Sequence, residues 1–192
     1  MTAKILVTGG AGFIGSEIVK QLSAHDEYEI RVLDALTKQI HGNNPEKSYL
    51  FQSIKDCCDF IRGDVRDFTT VQKALEGVDV VLHLAAETGT GQSMYMINQY
   101  NEVNVMGLSN IFQALSLKGE SNTIRKVILS SSRSVYGEGE YQCPNCGVVY
   151  PRGRKTKDMM QGDFTMHCDK CNTALTLMPT TEDSKTTPNS LY

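Results

Sequence analysis

Four cysteines stand in two pairs whose spacing is typical of a structural metal site. Cys143 and Cys146 form one Cys-x-x-Cys pair, and Cys168 and Cys171 form another after 21 intervening residues. Each pair presents two thiolates to one ion, so together they complete the four-sulfur set that structural zinc prefers. Because such a set leaves no open coordination position, we expect the zinc ion to fold a segment, with a redox dithiol as the alternative.

A glycine-rich turn near the N-terminus indicates a second kind of chemistry. Gly9, Gly12 and Gly15 follow a short β-branched run and open a helical pattern. Such a turn lets the backbone approach a pyrophosphate, and the N-terminus of the helix attracts its negative charge. Asp34 comes 19 residues after Gly15, where a carboxylate accepts hydrogen bonds from an adenosine ribose and repels a 2′-phosphate. The pattern therefore predicts an NAD site, the alternative being an unrelated α/β fold with Asp34 on its surface.

Strands and helices must alternate along the chain to position these groups. Strand patterns lie at Lys4–Thr8, Ile30–Asp34, Phe60–Ile61, Val78–Ala86 and Lys126–Ser131. Helical patterns follow Gly15, begin again at the N-cap Asp67, and extend from about Tyr95 to Leu117 with Phe112 on the apolar side. This alternation predicts an α/β fold with a Rossmann-like, doubly wound parallel sheet, because parallel strands need crossover helices.

The character of the sequence changes after Gly139. Residues 143–178 are polar, show no sustained period and are bracketed by the cysteine pairs, which predicts a small zinc-ribbon-like insertion. The segment Pro179–Tyr192 is rich in Thr, Pro and Ser, so it predicts a loop. We therefore expect an NAD-binding domain of residues 1–142 and 179–192, incomplete at its C-terminus, and a zinc-binding insertion of residues 143–178.

The composition excludes several classes of protein. The 192 residues are 40% hydrophobic and 21% charged, which is typical of a globular domain. A net charge of −3 provides no overall field for a nucleic-acid backbone or an anionic membrane. The longest apolar run, Val80–Ala86, falls far short of the roughly 20 residues that span a bilayer. Gly9 and Gly10 interrupt the first apolar stretch, which argues against a signal peptide, so we expect a cytoplasmic protein without a membrane partner.

A small basic run in the insertion suggests an alternative function, the binding of nucleic acid. Arg152, Arg154, Lys155 and Lys157 could contact phosphates, as zinc ribbons that bind nucleic acids do. Four charges without interleaved aromatic residues give little affinity at physiological salt, so we expect no nucleic-acid partner. A non-catalytic NAD-binding module with a nucleic-acid-binding ribbon is the alternative.

Five ordered motifs resemble those of a known enzyme family. They are Thr8–Gly15, Gly63–Val65, His83–Ala86, Asn104–Gly107 and Ser130–Gly137. In this order they resemble the signatures of extended short-chain dehydrogenases/reductases, and among these the NAD-dependent nucleotide-sugar epimerases and dehydratases. Together with the inserted cysteines, the stretches Leu33–Gly42 and Glu87–Tyr95 most resemble NAD-dependent 4-epimerases that act on dTDP- or UDP-hexoses.

The resemblance implies a set of cofactor-binding residues. Gly9, Gly12, Phe13, Ile14 and Gly15 would lie along the pyrophosphate, Asp34 on the ribose, Asp64 and Val65 at the adenine, Leu84, Ala85 and Ala86 beneath the cofactor, and Asn104 on the nicotinamide side. Several have plain structural alternatives. Leu84 to Ala86 would be core in any parallel sheet, Asn104 could cap or bridge waters, and His83 is expected to be a core histidine.

The resemblance also implies catalytic residues. In such epimerases a tyrosinate takes the proton of the sugar 4-hydroxyl while NAD takes the C4 hydride, and a serine or threonine shares the hydrogen bond. Ser132 matches that hydroxyl, and Ser134 would hold the sugar. Without the insertion, Tyr192 lies 24 positions from Ser132, a separation similar to that in the family. Tyr192 is therefore expected to be the catalytic tyrosine, with Tyr136 as the other candidate.

The family's tyrosine belongs to a Tyr-x-x-x-Lys motif, and the matching lysine is not among these 192 residues. We therefore expect a truncated form with low turnover that chiefly binds NAD and zinc, while the full-length enzyme would be a homodimer. A nucleotide-sugar dehydratase of the same family is the alternative. Dehydratases commonly carry an Asp-Glu pair where Arg133 and Ser134 stand here, which favours the epimerase.

Overall fold

The computed structural model describes residues 2–192 and divides the chain into two compact units. The first unit contains the chain up to Thr88 together with Met96–Ser130, and the second contains Gly89–Tyr95 and Ser131–Tyr192. Among residues 2–192, no helix combines the length and the apolar character that a bilayer span requires.

A five-stranded parallel sheet forms the centre of the first unit, in the order β3-β2-β1-β4-β5. Its strands are β1 (Ala3–Thr8), β2 (Tyr28–Asp34), β3 (Asp59–Arg62), β4 (Val80–His83) and β5 (Lys126–Leu129). The direction of winding reverses between β1 and β4, and open α/β sheets bind their ligands at such a switch point. The predicted Rossmann-like parallel sheet is confirmed.

The helices are short except for two. They are α1 (Phe13–Ser23), α2 (Lys38–His41), α3 (Tyr49–Gln52), α4 (Phe68–Ala74), α5 (Thr90–Ser93), α6 (Ile97–Tyr100), α7 (Gly107–Lys118) and α8 (Thr156–Met159). A π-helical segment, Asn101–Met106, joins α6 to α7. Asp67 caps α4 as predicted, because its carboxylate accepts the backbone amide of Thr69 at 3.0 Å.

Two apolar clusters form the core of the first unit, one on each face of the sheet. One contains Leu6, Leu33, Val65, Val71, Ala74, Leu75, Val78, Val81, Ile111 and Ala114, and the other Ile5, Val7, Ala11, Val19, Ile30, Val32, Leu36 and Ile54. Successive side chains of a strand point to opposite faces, so β1 supplies Leu6 to one cluster and Ile5 and Val7 to the other. Both faces are therefore buried, as a doubly wound sheet requires.

Two element predictions need correction. The fourth strand ends at His83 and not at Ala86, because His83 pairs with Thr8 and β1 ends there at the glycine turn. Phe112 is 51% exposed and does not lie on the buried face of α7. That face consists of Gly107, Asn110, Ile111 and Ala114, where Asn110 donates to the backbone oxygens of Val65 and Arg66 at 2.9 and 3.0 Å.

A three-stranded antiparallel sheet, in the order β7-β6-β8, forms part of the second unit. Its strands are β6 (Tyr141–Cys143), β7 (Gly147–Val149) and β8 (Thr176–Leu177). Residues 179–192 form neither helix nor strand, as their composition predicts. This segment packs closely on the one before the sheet, because Thr187 donates from its amide to Val135 O at 2.9 Å and from its hydroxyl to Tyr136 O at 3.1 Å.

Candidate active site and metal centre

The glycine turn lies at the switch point of the sheet, where only glycine fits. Gly9 has a φ of +71°, and a Cβ there would lie 2.7 Å from the backbone nitrogen of Ala85. A Cβ on Gly15 would overlap the carbonyl oxygen of Gly9. No side chain caps α1 at Gly12, and Phe13 and Ile14 are 83% and 64% exposed. The first amides of α1 thus remain accessible to an anion, and the turn fits a pyrophosphate.

Asp34 joins the end of β2 to this turn. Its Oδ2 accepts the backbone amide of Ala11 at 2.9 Å, and its Oδ1 accepts that of Leu36 at 2.8 Å. Leu36 adopts a φ of +51° and is buried, so the Asp34 carboxylate stabilises a sharp bend after the strand. A buried imidazole lies nearby, since His41 Nε2 is 4.0 Å from Asp34 Oδ1 and His41 Nδ1 is 2.8 Å from Ser48 Oγ. Burial lowers the pKa of His41.

The residues expected at the adenine are engaged by the protein itself. Asp64 forms an ion pair with Arg66, whose Nη2 lies 2.7 Å from Asp64 Oδ2. Burial raises the pKa of Asp64, but the hydrogen bonds from Arg66 outweigh it and the net shift is downward. The side chain of Val65 is buried in a core cluster. An adenine contact from Val65 would therefore use its backbone.

The residues after β4 line the other side of the switch point. Leu84 and Ala85 are partly buried against the core clusters, whereas Ala86 is exposed. His83 is 3% exposed, its Nδ1 lies 2.6 Å from Thr8 Oγ1, and burial lowers its pKa to about 4. His83 is thus the neutral core histidine that the sequence predicts.

Asn104 lies in the π-helical segment and holds the chain after β4. Its Oδ1 accepts the amide of Glu87 at 2.8 Å, and its Nδ2 donates to the carbonyl oxygen of Glu87 at 3.0 Å. Gln99 donates to the Glu87 carboxylate at 2.8 Å. Asn104 therefore positions the backbone of Glu87. Its place in a π-helical segment is consistent with a functional role, because such segments often occur at functional sites.

The second unit carries the residues expected to act on the sugar. Ser132 precedes a short 3₁₀ helix, and its Oγ accepts the amide of Ser134 at 3.1 Å. Ser134 lines a cavity of about 300 Å³ together with Arg133, Glu138 and Asn189, among others. Sequence reasoning gave neither Glu138 nor Asn189 a role, because only folding brings them to the same cavity.

Tyr192 is partly buried in the same unit. Its backbone amide donates to Ser93 Oγ at 3.2 Å, and Ser93 is fully buried and donates in turn to Thr90 O at 2.6 Å. Sequence reasoning missed Ser93, although it lies in the stretch 87–95 that carried part of the resemblance.

The four cysteines converge in the second unit. Their Sγ atoms all lie within 4.8 Å of one another, and Cys171 Sγ is 3.5 Å from Cys143 Sγ and 3.7 Å from Cys146 Sγ. Four sulfurs at about 2.3 Å from a zinc ion form a tetrahedron with edges of about 3.8 Å, so the spacing fits this metal. Gly147 and Asn172, which follow the two pairs, have φ of +74° and +58°. Hydrogen bonds from the hydroxyl and amide of Thr173 lower the pKa of Cys171 to about 6.

Comparison with known proteins identifies the family of this chain. The family model described as "NAD dependent epimerase/dehydratase family" matches residues 5–152. The dTDP-L-rhamnose 4-epimerase of Burkholderia thailandensis is 36% identical over 194 residues, which cover 98% of this chain and 49% of that protein. UDP-glucose 4-epimerase 3 of Oryza sativa is 32% identical over 145 residues, which cover 72% of this chain and 36% of that protein.

The chain is also similar to solved structures of 4-epimerases. UDP-glucuronic acid 4-epimerase from Bacillus cereus, in complex with UDP-glucuronic acid and NAD, has a TM-score of 0.60 at 34% identity, over 70% of this chain and 41% of that one. UDP-N-acetylglucosamine 4-epimerase from Methanobrevibacter ruminantium has a TM-score of 0.53 at 33% identity, over 76% and 42%. The chain spans about half the length, or less, of the relatives it matches. It belongs to the NAD-dependent epimerase/dehydratase family.

Proposed function

We propose that this chain is the NAD-binding part of a nucleotide-sugar 4-epimerase that acts on a dTDP- or UDP-hexose. The observation that carries the proposal is the link between Asp34 and Ala11 at the switch point of the sheet. This hydrogen bond supports the proposal because it keeps the Asp34 carboxylate beside the glycine turn, where it could accept ribose hydroxyls and would repel a 2′-phosphate. The relatives with 4-epimerase activity support the reaction type.

The proposed cofactor set comprises the glycine turn with Phe13 and Ile14, then Asp34, Asp64, Val65, Leu84, Ala85, Ala86 and Asn104. When bound, NAD supplies a reversible hydride acceptor for the sugar C4. The Tyr192 phenolate would take the proton of the 4-hydroxyl, and the Ser132 hydroxyl would share that hydrogen bond. Ser134 would bind the sugar in the cavity. Since none of the 192 residues forms a Tyr-x-x-x-Lys motif, we expect this polypeptide alone to turn over slowly.

An epimerisation assay with the purified chain tests this function. It contains NAD and either dTDP-L-rhamnose or UDP-glucose. We expect NAD to bind with one equivalent per chain and the 4-epimer to form slowly, with Tyr192→Phe abolishing the remaining turnover but not NAD binding. Product analysis by NMR separates the alternatives, because a dehydratase would form a 4-keto-6-deoxy sugar. Absence of NAD binding would overturn the proposal, and turnover at ordinary enzyme rates would overturn the low activity.

We also propose that Cys143, Cys146, Cys168 and Cys171 hold a structural zinc ion, so that residues 143–178 form a zinc ribbon. The mutual distances of the sulfurs and the positive φ at Gly147 and Asn172 support this. Elemental analysis of the purified protein should find one zinc per chain. Cys146→Ser should lose it, and the control Cys57→Ser, outside the cluster, should keep it. A metal-free wild-type protein would contradict the zinc site.

A further inference from the structure

One carboxylate in the cavity wall is held in place from within the ribbon. The lining residues include Arg133, Ser134 and Asn189, which can donate hydrogen bonds, and Glu138, which can only accept them when ionised. Glu138 Oε2 lies 3.5 Å from the guanidinium of Arg154. The two side chains keep 31% and 37% of their exposure, so solvent and ligands reach the pair.

Arg154 is itself fixed by the ribbon. Its Nε donates to the carbonyl oxygen of Phe164 at 2.7 Å, so one edge of the guanidinium is anchored while an Nη faces Glu138. The backbone of Gly153 also approaches Glu138, because a Cβ on this residue would lie 3.6 Å from Glu138 Oε1. Gly153 has a φ of +132°, a conformation that favours glycine. Two neighbouring ribbon residues thus border the Glu138 carboxylate.

A second tie connects the ribbon to the same segment. Tyr150 donates to Glu140 Oε2 at 2.6 Å, and the amide of Lys185 lies 3.5 Å from the Tyr150 hydroxyl. Glu140 O in turn accepts the amide of Met178 at 2.9 Å. The ribbon therefore anchors the chain on both sides of the inserted residues. Glu138 belongs to one of the anchored stretches.

Arg133 gives the cavity a donor of opposite charge. Among residues 2–192 the Arg133 guanidinium forms no ion pair, whereas Glu138 is paired with Arg154. A wall that offers an oriented carboxylate, a guanidinium, a hydroxyl and an amide matches the alternating acceptors and donors of pyranose hydroxyls. Arg154 would contribute to this wall by holding the Glu138 carboxylate in one orientation.

We propose that Glu138 is a specificity-determining residue that accepts a hydrogen bond from a hydroxyl of the sugar, and that Arg154 of the ribbon is the positioning residue that orients it. This inference rests on the proposed function, because it takes a nucleotide-sugar as the ligand of the cavity. It assigns the inserted ribbon a part in substrate selection. Arg154, which pairs with Glu138, lies within residues 143–178.

Saturation-transfer NMR on the full chain with NAD tests the proposal. The probes are UDP-glucose and dTDP-L-rhamnose, whose sugar and nucleotide protons are resolved separately. We expect Glu138→Gln to weaken sugar binding about tenfold, since a hydrogen bond to a charged acceptor is lost, without changing NAD affinity. Arg154→Gln should weaken it severalfold, and Arg154→Lys, which keeps the charge, should restore part of the loss.

A double-variant cycle separates positioning from a merely structural role. If Arg154 acts through Glu138, Arg154→Gln should have no further effect in a Glu138→Gln background. Multiplicative losses, or single variants that bind like wild type, would overturn the proposal. Arg152→Gln removes the same charge from the same ribbon and should bind like wild type. Zinc content confirms that each variant retains the ribbon.

The outcome for wild type distinguishes this proposal from the one on which it rests. If the wild type and all the variants bind a nucleotide-sugar with the same affinity, only the assignment of Glu138 and Arg154 is contradicted. Wild-type protein that binds NAD but neither probe contradicts the nucleotide-sugar function, and the present proposal with it.

Discussion

At the scale of single residues, the Asp34 carboxylate accepts hydrogen bonds from two backbone amides, those of Ala11 and Leu36. Each carboxylate oxygen has further lone pairs, so both can also accept ribose hydroxyls. We predict that Asp34→Asn weakens NAD binding about 10- to 100-fold and reduces the preference for NAD over NADP. Calorimetric titration with both cofactors measures this. Asp26→Asn, on an exposed turn, is the matched control. An unchanged NAD affinity in Asp34→Asn would exclude the ribose contact.

His83 makes folding dependent on pH. In the unfolded chain a histidine binds a proton near pH 6.5, whereas burial lowers the pKa of folded His83 to about 4. Between these values the unfolded state binds more protons, so stability falls as the pH falls from 6.5 to 4, by about 3 kcal/mol in total.

We predict that His83→Gln has a flatter dependence of unfolding free energy on pH over this window. Urea unfolding at pH 7 and at pH 4.5 measures it. His25→Gln replaces an exposed histidine and should keep the wild-type slope. Equal slopes in all three proteins would show that His83 titrates normally in the folded state.

At the scale of elements, the glycine turn fixes how α1 meets β1. A Cβ on Gly15 would overlap Gly9 O and lie 2.7 Å from the Cα of Gly10, so backbone must move. We predict that Gly15→Ala destabilises the chain by about 2 kcal/mol or more and abolishes measurable NAD binding. Thermal unfolding and NAD titration test this. Gly91→Ala, in α5, meets no atom within 4 Å and should bind NAD normally. Normal NAD binding by Gly15→Ala would contradict the tight packing.

Elements also show where sequence patterns stop being informative. The apolar run 78–86 continues past β4, but pairing ends where its partner β1 ends, at Thr8. A single segment cannot reveal the length of its neighbour, so only register decides the strand. The buried face of α7 also could not be read from the sequence alone. It includes the polar Asn110, because two carbonyl oxygens accept its hydrogen bonds in the folded chain, and it excludes the apolar Phe112.

At the scale of the whole molecule, the predicted NAD-binding residues and the cysteine cluster belong to different compact units. Zinc binding in small ribbons supplies most of their folding free energy, so its loss should unfold residues 143–178. We predict that chelation exposes Arg152, Arg154, Lys155 and Lys157 to trypsin while NAD affinity changes less than about threefold. Limited proteolysis with mass spectrometry and NAD titration check this. Equal protection with and without chelator would contradict the metal-dependent ribbon.

The sequence by itself determined the features whose chemistry depends on short spacing along the chain. The glycine turn, Asp34 at the end of β2, and the two Cys-x-x-Cys pairs were all found this way, because a few bonds already restrict where such groups lie. The alternation of strands and helices likewise predicted the doubly wound sheet, which follows from burying apolar residues on both faces.

Only the tertiary structure decided which distant groups meet. Three contacts join residues that share no motif. They are the ion pair of Arg154 with Glu138 and the hydrogen bonds of Asn104 with Glu87 and of Thr187 with Tyr136. Each depends on the path of the intervening chain, and no local propensity encodes it. The structure therefore supplied the contact between residues 143–178 and the cavity wall, because long-range contacts form only once the core and the turns have fixed the backbone.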